Sequence, residues 1–136
     1  MNRKLALATL GLAFGATALH ADDRLAGLLL LSDVAPDAIQ ITPHVPHMGE
    51  HWALPQNLPG GPIYCAIDGR VVCIEYMFDA SDLADGVNFE GLMPDIETPP
   101  IAHIDMQFLP DGVPPHPVPL YQLHIYFAAQ DVLAEH

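Results

Sequence analysis

The sequence predicts a mainly β domain, an α+β arrangement being the other outcome, with one or two short helices beside a small antiparallel sheet or barrel-like fold. Three observations predict it. Fourteen prolines and ten glycines leave few long helical periods and favour short strands joined by stiff turns. Asp68-Gly69, a two-residue hairpin turn signal, divides residues 63–78, a stretch rich in Val, Ile, Tyr and Phe. Residues 101–109 and 119–127 each alternate apolar with polar side chains, the pattern of strands with one polar face.

The chain opens with an export signal. Arg3 and Lys4 precede an apolar run from Leu5 to Leu19, and small residues close it, with cleavage expected after Ala18 or Ala21. The run is too short for a spanning helix, which needs roughly 20 residues. Residues 1–21 are therefore read as a signal peptide and 22–136 as a single β-rich domain with its core at about 42–127. The protein is expected in the periplasm or outside the cell, without stable membrane insertion.

Removal of the signal leaves Arg24 and Arg70 against 17 Asp and Glu, a net charge of −15. Phosphate backbones and anionic lipid headgroups repel such a chain, which excludes nucleic acid as a partner and favours metal ions or cationic small molecules. About 115 residues, half of them apolar, suffice for one modest core.

The elements follow in order. Residues 22–41 have weak helical spacing, and 42–62 read as a loop whose prolines forbid a continuous helix. The hairpin of 63–78 comes next, then one helical turn over 79–86. In 101–109, Ala102, Ile104, Met106 and Phe108 oppose His103, Asp105 and Gln107. In 119–127, Tyr121, Leu123, Ile125 and Phe127 oppose Gln122, His124 and Tyr126. If these strands share a sheet, their polar faces line one pocket. A tight turn at Asp68-Gly69 pairs Cys65 with Val72 and Tyr64 with Cys73, placing the two sulfurs on opposite faces. A disulfide then requires a one-residue shift or a bulge; otherwise the cysteines are two buried thiols.

Seven histidines follow the signal, and neutral imidazole is the commonest metal ligand. The preferred constellation is His51, His103 and His124, with Asp105 or Glu75 as a fourth ligand or an orienting partner, suited to Zn, Cu, Fe or Mn. Hydrogen-bonded or surface histidines that hold no metal are the competing reading, since no His-Glu-x-x-His occurs. His44, His116 and His136 are expected to face solvent. Met48, Met77 and Met106 read as core filler rather than as copper ligands. Ser32 and Ser81, the only serines, lack the flanking glycines of a hydrolase elbow.

The ordered motifs Val45-Pro46-His47-Met48-Gly49-Glu50-His51-Trp52, Pro62-Ile63-Tyr64, Ile74-Glu75-Tyr76-Met77, Pro100-Ile101-Ala102-His103-Ile104-Asp105 and Tyr121-Gln122-Leu123-His124-Ile125-Tyr126-Phe127 resemble an exported bacterial domain family of unknown function. That family is typified by a ring-forming Thermus protein under extracytoplasmic sigma-factor control. The resemblance spans about residues 42–127 and carries over to His51, Glu75, His103, Asp105 and His124, with a departure at Leu120 and Gln122, where relatives tend to have His and Asp. It implies export, a β-rich fold and homo-oligomerisation, and no activity. Three functions remain open: an envelope protein binding a metal ion or small ligand in a histidine-lined pocket, a metal-dependent enzyme with a three-histidine site, and a structural ring-forming protein without metal.

Overall fold

The computed structural model describes residues 23–136, so the expected signal lies outside the described residues. The chain folds as a six-stranded open sheet, ordered β1-β2-β3-β4-β6-β5, in which every neighbouring pair is antiparallel. Strands β1 (Ile39–Gln40), β2 (Glu50–Ala53), β3 (Ile63–Ile67), β4 (Arg70–Asp79), β5 (His103–Leu109) and β6 (Leu120–Tyr126) are accompanied by three short helices, α1 (Leu31–Val34), α2 (Ala80–Ala84) and α3 (Gln130–Leu133). No helix among the described residues is long and apolar enough to cross a membrane.

The β3–β4 hairpin forms the centre, and nearly all of its side chains are buried. Both arms are β-branched and aromatic, residues that pack well on a pleated surface. The N-terminal segment docks on its turn: Leu31 donates its backbone N–H to the Gly69 carbonyl, and Leu28 and Leu31 enter the core. Between β4 and β5 the chain crosses over β6, with α2 and residues 85–102 making the connection. Phe89 of that connection meets Phe78 edge-on at 4.6 Å, while Leu92 and Ile96 pack against the core.

Two expectations are corrected. Residues 50–53, assigned to a loop, form β2, a strand short enough for the surrounding prolines to hide it. The hairpin begins as expected, with Ile67 opposite Arg70, but its register shifts between Cys65 and Ala66, so Cys65 faces Cys73 and Tyr64 faces Ile74. Val72 is the extra residue on β4. The bulge brings both sulfurs to one face, and they form a disulfide with a Cα separation of 4.9 Å.

Directly paired residues share a face, and alternate residues along a strand do too. One face therefore carries His51, Cys65, Cys73, Tyr126 and His103 in one row and Ala53, Ile63, Glu75, His124 and Asp105 in the next. The opposite face carries Tyr64, Ile74, Tyr76 and Phe78, and ends at β5 with Ile104, Met106 and Phe108, which are 55, 55 and 50 % exposed. Met106 is thus not core filler: β5 is the edge strand, and the core covers that face only as far as β6.

Gly49 leads into β2 with φ +77°, and a Cβ at this position would strike the Ala66 carbonyl oxygen. L-residues carry a steric penalty at that φ, and the backbone contact forbids any side chain. Gly49→Ala is expected to lower stability by more than about 2 kcal/mol in urea titrations. An unchanged midpoint would show that β2 does not lie this close to β3.

Candidate functional site

Three of the five proposed ligands meet. His51 from β2, Glu75 from β4 and His124 from β6 place one donor atom each within 4.8 Å of one another. They are 6, 3 and 2 % exposed, and among the described residues they are the only buried imidazole or carboxyl side chains. Such groups are rarely buried without a compensating partner.

The contacts around Glu75 are specific. Its Oε1 accepts a hydrogen bond from Gln122 Nε2 at 2.8 Å. Its Oε2 faces His51 Nε2 at 3.4 Å and His124 Nε2 at 3.7 Å. These separations exceed ordinary N–H···O hydrogen bonds. The shorter matches the edge of a coordination shell and the longer lies somewhat beyond it, because two donors each about 2.0–2.1 Å from a tetrahedral ion lie roughly 3.3 Å apart. On its far side, His51 Nδ1 lies 3.0 Å from Thr42 Oγ1, which also accepts the His51 backbone N–H at 3.0 Å. With the ring proton on Nδ1, directed at Thr42, Nε2 presents a lone pair to the carboxylate. A lone pair and a carboxylate oxygen repel unless a proton or a cation lies between them.

Burial shapes the titration of all three. It lowers His51 to about 4, aided by His124 and opposed by Glu50. His124 is likewise lowered by burial, against the pull of Asp105. Burial pushes Glu75 up to about 7, although the Gln122 hydrogen bond opposes the shift. Without a cation, the centre therefore favours neutral imidazoles and a carboxyl that holds its proton to near-neutral pH. His124 Nδ1 is buried and has no hydrogen-bond partner.

His103 does not join this group; Glu75 occupies the place expected for it. His51 and His103 lie in one row but four strand spacings apart, about 19 Å at the backbone, so they cannot share an ion. Tyr126 intervenes, stacked on His103 with ring centroids 4.3 Å apart. Asp105 is the direct cross-strand neighbour of His124 but is half exposed, with Oδ2 3.9 Å from His103 Nε2. Among the other histidines, His44 is exposed, as expected, and contacts Glu50 and the His136 carbonyl. His116 is not a free surface group: its Nε2 lies 2.6 Å from Asp79 Oδ1.

Sequence reasoning missed the supporting roles of Thr42 and Gln122. Gln122 was visible two residues before His124 on the same polar face, whereas Thr42 gave no signal because its contact depends on the fold of the loop before β2.

Neither protein-family profiles nor curated proteins match the chain. Among solved structures, it is similar to the hypothetical protein TTHB210 from Thermus thermophilus. The two share 22% identity with a TM-score of 0.54, over 67% of this chain and 87% of that one. At this identity the likeness is one of fold, and it agrees at that level with the Thermus resemblance in the motifs.

A carboxyl that binds its proton more tightly when folded favours the native state at low pH. For Glu75 this contribution is present in full below about 4.5, its ordinary value, and is lost as pH rises through about 7. Glu75→Gln, a neutral variant that can keep the Gln122 contact, is expected to stabilise metal-free protein by about 2 kcal/mol at pH 8 and by little at pH 4.5. Urea titrations in the presence of a chelator measure this. No gain at pH 8 would mean that the carboxylate is solvated in the metal-free protein.

Proposed function

We propose that this chain is an exported protein of the bacterial cell envelope that holds a divalent transition-metal ion between His51, Glu75 and His124. The single observation that carries this reading is the pair of separations, 3.4 and 3.7 Å, between one buried carboxylate oxygen and two imidazole nitrogens. Two imidazoles and a carboxylate suit Zn²⁺ or Fe²⁺ ahead of Ca²⁺ or Mg²⁺, which prefer all-oxygen shells. Thr42 and Gln122 support the reading as partners that orient a ligand ring and a ligand carboxylate. The burial of all three ligand residues favours holding an ion over turning over a substrate. The basic, apolar and small-residue order of positions 1–21 and the Cys65–Cys73 bridge support export, since disulfides persist in oxidising compartments.

Metal analysis of the mature protein, produced by export and purified without an affinity tag, is expected to find close to one transition-metal ion per chain. His51→Ala and His124→Ala should each reduce affinity by at least about tenfold, while His103→Ala leaves the stoichiometry unchanged. Metal-free wild-type protein that takes up no Zn²⁺ or Fe²⁺ in equilibrium dialysis would end this reading.

A second reading, a ring-forming structural protein like the one suggested by the Thermus resemblance, draws on β5. Ile104, Met106 and Phe108 form an exposed apolar row on an edge strand, the kind of surface that subunits cover. On this reading the solution mass is a multiple of the chain mass, and Phe108→Asp shifts it toward a single chain. A monomeric wild type in light scattering would exclude it.

A further inference from the structure

A metal centre this deeply buried needs a path to solvent; on its face the neighbouring row of Met77, Gln122 and Gln107 is partly exposed, and the two rows that hold the ligands open at β5. In the row containing Glu75, the residues are sealed from Ala53 through Ile63, Glu75 and His124, and the row opens only at its last member, Asp105. In the row containing His51, the last member, His103, is again the accessible one. A cavity of about 260 Å³ lies at this end, lined by His47, His103, Asp105, Tyr126 and the α3 residues Gln130 and Leu133.

Asp105 belongs to both environments. Its side chain lines the cavity, yet it lies directly across from His124 on the neighbouring strand, where paired Cβ atoms are about 5 Å apart. The Tyr126 ring stacks on His103 and lies 5.7 Å from the His124 ring, forming the wall between the two spaces.

We propose that the cavity beside β5 is the mouth of the metal centre and that Asp105 is the carboxylate that receives the incoming cation before it passes Tyr126 to His124 and Glu75. This inference rests on the metal-binding reading and adds the route. A half-exposed carboxylate can exchange hydrating waters with an arriving divalent ion, and a single-sign charge at a cleft raises the local cation concentration and the association rate. Asp105 lies outside the group of atoms that can hold the ion at once, so it governs rates rather than the bound state.

Stopped-flow binding of Co²⁺ to metal-free protein, followed through its visible absorption, tests this. Asp105→Asn is expected to slow association by about three- to tenfold and dissociation in proportion, with the dissociation constant within about twofold of wild type and a shallower dependence on salt. Asp37→Asn, which removes the same charge just before β1 at the opposite sheet edge, should leave both rates near wild type. Equal rates in the two variants would overturn the route. A loss of affinity of tenfold or more in Asp105→Asn would also overturn it, by making Asp105 a ligand. Failure of wild type to bind Co²⁺ at all would remove the metal reading and the route together, whereas normal binding with unslowed Asp105→Asn would remove the route alone.

Discussion

The site depends on one electrostatic constraint: the Glu75 carboxyl must be solvated by protein. At 3 % exposure it has almost no water, and a buried charge without partners is among the costliest features a fold can carry. Gln122 satisfies one oxygen, and two imidazoles face the other. β6 therefore supplies two of the three groups around the carboxyl, at positions 122 and 124, while β2 reaches across β3 with the third. Thr42 then fixes the far side of His51. The contacts come from β6, from β2 and from the loop before it, and they meet on β4, so the arrangement requires the completed sheet.

The strands whose pattern repeats every second residue were legible in the sequence. β5 and β6 fall where alternation places them, the β3–β4 hairpin turns at Asp68-Gly69, and α2 follows it. β2 was hidden because four residues between prolines are too few to show a period. Of the five candidate ligands, His51, Glu75 and His124 converge, while His103 and Asp105 stay one strand outward. The pattern gives the polar faces of β5 and β6 but not the order of strands, and strand order alone separates His103 from His51 by four strand spacings. Residue alternation likewise suggested an inner apolar face for Met106, without revealing that β5 lies at the edge.

The two faces of the sheet meet solvent differently at β5. On the polar face, the row of Glu75 and His124 stays sealed as far as β6 and opens at the half-exposed Asp105 beside a cavity. On the other face, the cover thins over β6, where Leu123 and Tyr121 are half-buried, and leaves Ile104, Met106 and Phe108 in water. One edge strand thus carries both Asp105 and the apolar row. An assembly built through β5 would stand next to the cavity that Asp105 lines.

Val72, the one residue that the hairpin register does not pair, reaches beyond its own strand. Because side chains alternate, a hairpin without the bulge would turn Glu75 to the face opposite His51, and it would set Cys65 against Val72 with the sulfurs on opposite sides. The bulged alignment lets the cysteines join, and the same alignment points Glu75 toward its imidazoles. The covalent link and the orientation of the carboxylate thus share one cause: a hairpin joined through Cys65 and Cys73 already displays Glu75 on the face of His51.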